Sequence, residues 1–138
     1  MKRRSSGSAL LEFAIVWPVA LLLVAGSVQL AVWGSEARSA RQAAMAGARA
    51  GSAADGTGAL AESAALRLLR PALVGTSAGP WCPGATQRPP AVWVCTVLST
   101  GHVEVRVGGA VPALVPLLPG GGGLPVAADV GLAREVFR

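Results

Sequence analysis

Seven carboxylates, one imidazole and two thiols are the side chains with which this chain could do acid–base, nucleophilic or metal chemistry. The acids are Glu12, Glu36, Asp55, Glu62, Glu104, Asp129 and Glu135. The histidine, His102, falls in a hairpin turn and reads as a solvated turn residue. Cys82 and Cys95 have no metal-ligand spacing and no second thiol pair beside them. The glycine run at 120–123 lacks the Lys and Ser/Thr of a phosphate loop and reads as a flexible turn. Arg3 and Arg4 lack the remainder of a twin-arginine signal. No catalytic residue, metal site or cofactor is expected, and the chain does not read as an enzyme. Two chemistries remain. The cysteines could be oxidised to one disulfide, and Glu12 sits where a carboxylate needs a reason.

That residue lies in "GSALLEFAIVWPVALLLVAG", at the lip of an apolar run without further charge as far as Trp33. A carboxylate at a bilayer centre costs roughly 2.5–3.5 kcal/mol even on mild insertion scales, and a plain anchor gains nothing from it. A peptidase cutting after Gly7 would make Ser8 the first residue and Glu12 the fifth. The carboxylate would then fall in the first helical turn, where the helix dipole favours it. The stronger partner would be a cation from another subunit. A new α-amine, with a reference pKa of about 7.7–8, is largely charged at neutral pH. Such a pair in a staggered helix bundle would offset the membrane cost and set the register of one helix on the next.

The elements that must position these residues follow from composition and pattern. With 138 residues, one small domain and an anchor are the natural count. Residues 1–7 form a short basic leader, and Lys2, Arg3 and Arg4 supply three of the five net positive charges. The basic balance is therefore a leader effect, and with no basic stripe interleaved with aromatics no nucleic-acid partner is expected. Residues 13–33 would span about 31 Å as a helix, enough to cross a membrane once. Pro18 is tolerable there, and Trp33 suits an interface. The leader charges favour a cytoplasmic N-terminus and an exported C-terminal domain.

The helix is expected to continue through "GSEARSARQAAMAGARAG", giving one helix over 8–52. Ala37, Ala40, Ala44, Gly47, Ala48 and Gly51 form a small-residue stripe, with Arg38, Arg41, Gln42, Met45 and Arg49 on another face. Thr57 or Asp55 would cap a second helix, with Leu60, Ala64, Leu68 and Leu69 inward and Pro71 as its stop. "AVWVCTVL" and "HVEVRV" read as a hairpin about "STG". "VPALVPLLPGGGGLP" is barred by its prolines from a regular helix. "VAADVGLAREVF" reads as a third strand or a short helix. The expected fold is α+β: a long transmembrane and amphipathic helix, a short helix, and a small antiparallel sheet in an exported domain over 53–138. Small residues bury little area, so this domain has a thin core. A Cys82–Cys95 bridge, closing a loop of about 15 residues, would add roughly 3 kcal/mol in the chain-entropy model in an oxidising compartment.

The N-terminal segment resembles the leader and helix of type IV prepilins: a basic leader, Gly7 before the cut, and Glu12 at mature position five followed by the aromatic Phe13. More narrowly it is similar to the TadE-like minor pilins of the tight-adherence (Tad, or Flp) pilus. The resemblance is carried by "GSALLEFAIVWPVALLLVAG", "ARSARQAAMAGARAG" and "LPVAADVGLAREVF". It implies a bacterial inner-membrane precursor processed by a prepilin peptidase at Gly7–Ser8. It also implies assembly through Glu12 and Phe13 with other pilin subunits and assembly-machine proteins in membrane lipid, and no enzymatic activity. The length points to the minor component rather than the short major pilin, and leaves entry into the filament open. Two other readings compete: an unprocessed single-pass protein, and a small secreted protein whose signal is cut near Gly26 to leave Ser27 first.

Overall fold

A computed structural model describes residues 6–113 and 122–134. Residues 1–5 of the leader, the first two glycines of the run at 120–123, most of the proline-interrupted apolar stretch and Glu135 therefore lie outside the described residues. Helix α1 runs unbroken over Ser6–Ser52, through Pro18. Helix α2 covers Gly58–Leu69 and passes into a single 3₁₀ turn over Arg70–Ala72, where Pro71 ends it. Thr57, not Asp55, is its N-cap: the hydroxyl accepts the Leu60 amide hydrogen at 3.2 Å, satisfying one of the donors that a helix start leaves unpaired.

Four strands follow, β1 (Ala78–Pro80), β2 (Val92–Ser99), β3 (His102–Val111) and β4 (Leu124–Ala133), in spatial order 1-2-3-4. β2, β3 and β4 form an antiparallel meander. "STG" makes the expected hairpin, with Gly101 at φ +81° in the turn, a conformation L side chains rarely adopt. "LPVAADVGLA" is a strand and not a helix: Val126 is buried, and the positions that follow it alternate between half-buried and exposed. The sheet is mixed, because β1 pairs parallel to β2. Three residues ending in proline carry too weak a pattern for that strand to be legible in the sequence.

One face of the sheet is the core. Val92, Val94, Val103, Val105, Val107 and Val126 are buried there against Ala40, Ala43, Ala44 and Ala48 of α1 and Ala61, Ala65, Leu66 and Leu69 of α2. The core thus draws on both sides of residue 52. The small-residue stripe is the contact of α1 with α2 and the sheet. A Cβ placed on Gly47 would lie 2.8 Å from the Ala61 carbonyl oxygen, so only glycine admits this approach.

The inward face of α2 differs from the one expected. Leu60 and Leu68 are exposed, and Ala61 and Ala65 take the buried positions with Leu66 and Leu69. The close approach of α1 explains the change: a seam narrow enough to need glycine on one helix has room only for alanine on the other. Leu60 and Leu68 fall outside that seam, while Leu66 and Leu69 are buried elsewhere in the core.

Candidate assembly surface

Below the domain, α1 stands free. From Leu10 to Val28 every side chain is exposed except Ala25 and Gly26, which are half-exposed. Leu23 is 70% exposed, Leu11 67% and Phe13 62%, although side chains of this kind are normally the most buried in a protein. Nineteen helical residues rise about 28 Å, close to the hydrocarbon thickness of a bilayer. Among the described residues this is the helix long and apolar enough to cross a membrane. A helix apolar on all sides needs an apolar environment, whether lipid or neighbouring helices.

Glu12 is exposed on this free segment. Helical spacing puts Val16 one turn further along the same face. Phe13 stacks on Trp17 with ring centroids 5.7 Å apart and planes 18° apart, so the aromatic beside Glu12 is held by its own helix. Gly7 and Ser8 are helical, because α1 already begins at Ser6. The first turn accordingly contains no acid, and Glu12 sits in the second turn. The first-turn position expected from the sequence is that of the chain cut after Gly7, whereas the intact helix already runs from Ser6.

A collar joins this free segment to the domain, and sequence reasoning missed it. Gln29 is 5% exposed and Glu36 2% exposed, both buried in the interior otherwise built from Ala, Val and Leu. A carboxylate oxygen of Glu36 accepts the Val74 amide hydrogen at 3.2 Å, fixing the chain where it leaves the 3₁₀ turn. Between them, Trp33 donates its indole N–H to the Pro125 carbonyl at 2.9 Å, at the start of β4. The last turn of the span expected in the membrane thus packs on the domain. A signal was available: Gln29, Trp33, Glu36 and Ala40 are spaced four, three and four apart, a single helical face. Read by hydropathy alone, Gln29 was only an interruption.

Cys82 and Cys95 are joined by a disulfide, with Cα atoms 4.7 Å apart. It fastens the turn-rich loop after β1 to the sheet face opposite the helices. Trp81 meets Trp93 edge-on at 5.5 Å and donates its indole N–H to the Gln87 carbonyl at 2.9 Å. The ring of Trp93 lies across Gly108, within 2.9 Å of where a Cβ would stand. Arg106 on the same face is paired with Glu104 and lies 3.6 Å from Asp129. The hydrogen bond and charge of Glu104 hold its guanidinium pKa above the ordinary value, with a smaller contribution from the charge of Asp129. His102 is exposed, its ring over Gly131.

The family of TadE-like proteins has a model that matches residues 7–49. Over that span this chain is similar to the TadE-like proteins. The match covers about a third of the sequence, nearly all of α1, including Gly7, Ser8, Glu12, Phe13, the collar residues and the small-residue seam. α2 and the sheet lie beyond it. No curated protein and no solved structure matches the chain.

Proposed function

We propose that this TadE-like chain is a pilin-like, membrane-anchored structural component that acts in assembly of a Tad-type adhesive pilus, with no catalytic role of its own. A prepilin peptidase cuts after Gly7, the free half of α1 sits in the bacterial inner membrane, and the sheet domain stands outside it. Its partners are other pilin subunits and proteins of the assembly machine. The observation that carries this reading is the free apolar half of α1 with a single exposed carboxylate, Glu12, near its N-terminal end, inside the span that matches the family. A lipid anchor alone does not call for that carboxylate. A helix that must take a fixed stagger beside another helix does, because an ion pair in apolar surroundings defines one register. The disulfide suits a domain placed in an oxidising compartment.

Two measurements test the proposal. The first is the N-terminus of the chain recovered from a host with a working prepilin peptidase. Ser8 supports the reading, whereas Met1 refutes processing and Ser27 indicates a secreted protein. The second is Glu12→Ala. It should insert and be processed like the wild type yet leave cells without pili, since removing one member of a buried pair generally costs about 3–5 kcal/mol. Glu12→Asp should be intermediate. Normal piliation by a processed Glu12→Ala chain refutes the pairing role.

A further inference from the structure

The free part of α1, counted from its carboxylate, is shorter than a bilayer is thick. Glu12 has no hydrogen-bond or ion-pair partner among the described residues. In the unassembled chain the cost of burying its charge therefore keeps it at the edge of the hydrocarbon. Past that charge the free part of α1 is Phe13 to Val28, sixteen residues, which rise about 24 Å. The hydrocarbon core is about 30 Å thick, and tilting the helix only shortens its projection. The shortfall of about 6 Å equals four residues of helix. Those four, Gln29 to Val32, already run beside the domain: Gln29 is buried, and Trp33, which follows them, is bonded to Pro125. The end of the domain at this level carries no charge. Val74, bonded to Glu36, lies one helical turn above Trp33, and the neighbouring Gly75 lies beside Pro112. Positions 28–35, 73–77, 108–113 and 122–128 hold no Asp, Glu, Lys, Arg or His. Leu30, Val74, Pro112 and Pro125 are all exposed there. The opposite end, where Arg134 ties the hairpin turn to the turn between α1 and α2, exposes Arg49, Asp55 and His102.

We propose that this uncharged end is a lipid-contact surface. The domain seats about 6 Å into the outer face of the bilayer that α1 spans, with Leu30 in the hydrocarbon, Pro125 at its boundary, and Val74, Gly75 and Pro112 among the headgroups. The proposal rests on the anchor reading above and adds to it where the domain sits. Levels along α1 agree. Hydrocarbon that begins at Phe13 ends at Val32, one residue before Trp33, whose apolar ring and indole N–H suit that boundary. Glu36, with Val74 on it, stands about 6 Å higher, inside a headgroup layer of about 5–7 Å. Gln29 falls at hydrocarbon depth, where an exposed amide is costly, and it is enclosed by the protein. The lipid contact is apolar, because this end has no lysine or arginine to draw acidic headgroups. A protein partner covering the same end would hold the domain clear of the membrane and leave the 6 Å unfilled. Lipid fills it with the surface already present.

The test is fluorescence quenching of the full-length chain in phosphatidylcholine nanodiscs loaded with a single copy each. A bimane is attached to one added cysteine, with the Cys82–Cys95 bridge closed: Val74→Cys or Pro112→Cys at the uncharged end, Leu21→Cys in the anchor, Thr100→Cys at the far end. Val74 and Pro112 are exposed, and the bond from Val74 to Glu36 uses the backbone, so neither substitution removes a packed side chain or that contact. A spin label on the lipid headgroup should quench the probes at 74 and 112 and leave the one at 100 bright. Iodide in the water should do the reverse. A spin label in the acyl chain should quench the probe at 21. In a phosphatidylcholine of shorter acyl chains, with a core of about 24 Å, the shortfall disappears, and iodide access at 74 and 112 should rise to the level at 100. If the acyl-chain label fails to reach position 21, the anchor reading falls and takes the proposal with it. If it does reach 21 while 74 and 112 behave like 100, the anchor stands and the proposal is overturned. Protection from iodide at 74 and 112 without quenching from lipid, or protection that ignores bilayer thickness, means that protein covers this end and overturns it as well.

Discussion

One substitution made at two points of α1 should change stability in opposite directions. Gly34 and Gly47 both lie inside the helix. Replacing a mid-helix glycine by alanine removes an entropic penalty of roughly 0.5–1 kcal/mol. At Gly34 nothing lies within 4 Å of the added methyl, so that gain should be realised in full. At Gly47 the methyl would stand 2.8 Å from the Ala61 carbonyl oxygen, 3.1 Å from the Ala65 Cβ and 3.3 Å from a Val105 methyl. None of these is the loose end of a long side chain, so α2 must shift. Overpacking of this kind costs about 1–3 kcal/mol, which exceeds the propensity gain. Gly47→Ala should therefore lose about 1 kcal/mol net, and Gly47→Val more. In a domain of this size 1 kcal/mol moves the melting temperature by about 4–8 °C. The assay is thermal unfolding of the full chain in detergent, followed by near-ultraviolet circular dichroism of Trp33, Trp81 and Trp93. The seam between α1 and α2 is refuted as drawn if Gly47→Ala melts at or above the wild type. A loss at Gly34→Ala would show that this part of the helix is packed against something.

Two further outcomes rest on other contacts. Removing the disulfide as the double variant Cys82→Ala, Cys95→Ala should cost roughly 3 kcal/mol, lowering the same transition by about 12–24 °C; in the wild type, alkylation without reductant should label neither cysteine. Glu36→Ala leaves the Val74 N–H without its part-buried acceptor and should cost about 0.5–1.5 kcal/mol in urea unfolding, whereas Glu36→Gln keeps an oxygen in place and should recover most of the loss.

Much of the fold was legible because local rules and tertiary packing agreed. The alternation Val103-Glu104-Val105-Arg106-Val107 could only be a half-buried strand. Thr57 or Asp55 before an alanine- and leucine-rich run marked a helix start, and Pro71 had to end it. The long helix was legible because its apolar run and its small-residue stripe follow one another without a breaker. Legibility failed where a tertiary partner set the rule. Leu60 and Leu68 are as large as the buried Leu66 and Leu69, and a reading by hydrophobicity turns them inward. The seam selects by volume instead, and the glycines that impose it are a helix away. β1 owes its existence to pairing with β2 and has no pattern of its own. Of the candidate site, Gly7, Ser8, Glu12 and Phe13 could be named from type and spacing. Glu36 could not, since an acid on a helix reads as solvated until the partner donor at Val74 is known.

The two halves of α1 solve different problems with one continuous backbone. Below Gln29 the side chains are large, Leu, Ile, Val, Phe and Trp, and point outward on every side. They suit a surrounding that is itself apolar, where large groups gain contact area. From Ala40 onward the inward residues shrink to Ala and Gly, because neighbouring backbone must come within van der Waals reach. The change of solvent occurs over Gln29 to Glu36, where buried polar groups and the Trp33–Pro125 hydrogen bond tie the helix to the sheet. About 31 Å of helix separates Glu12 from Trp33 at 1.5 Å per residue. A shift in register at Glu12 is therefore carried as a rigid translation to the collar, and through Pro125 to the start of β4. Polar groups buried at a junction are poor sources of net stability, but they penalise any sliding of one element on another. The collar thus makes the position of the domain a direct consequence of where the free half of α1 is seated.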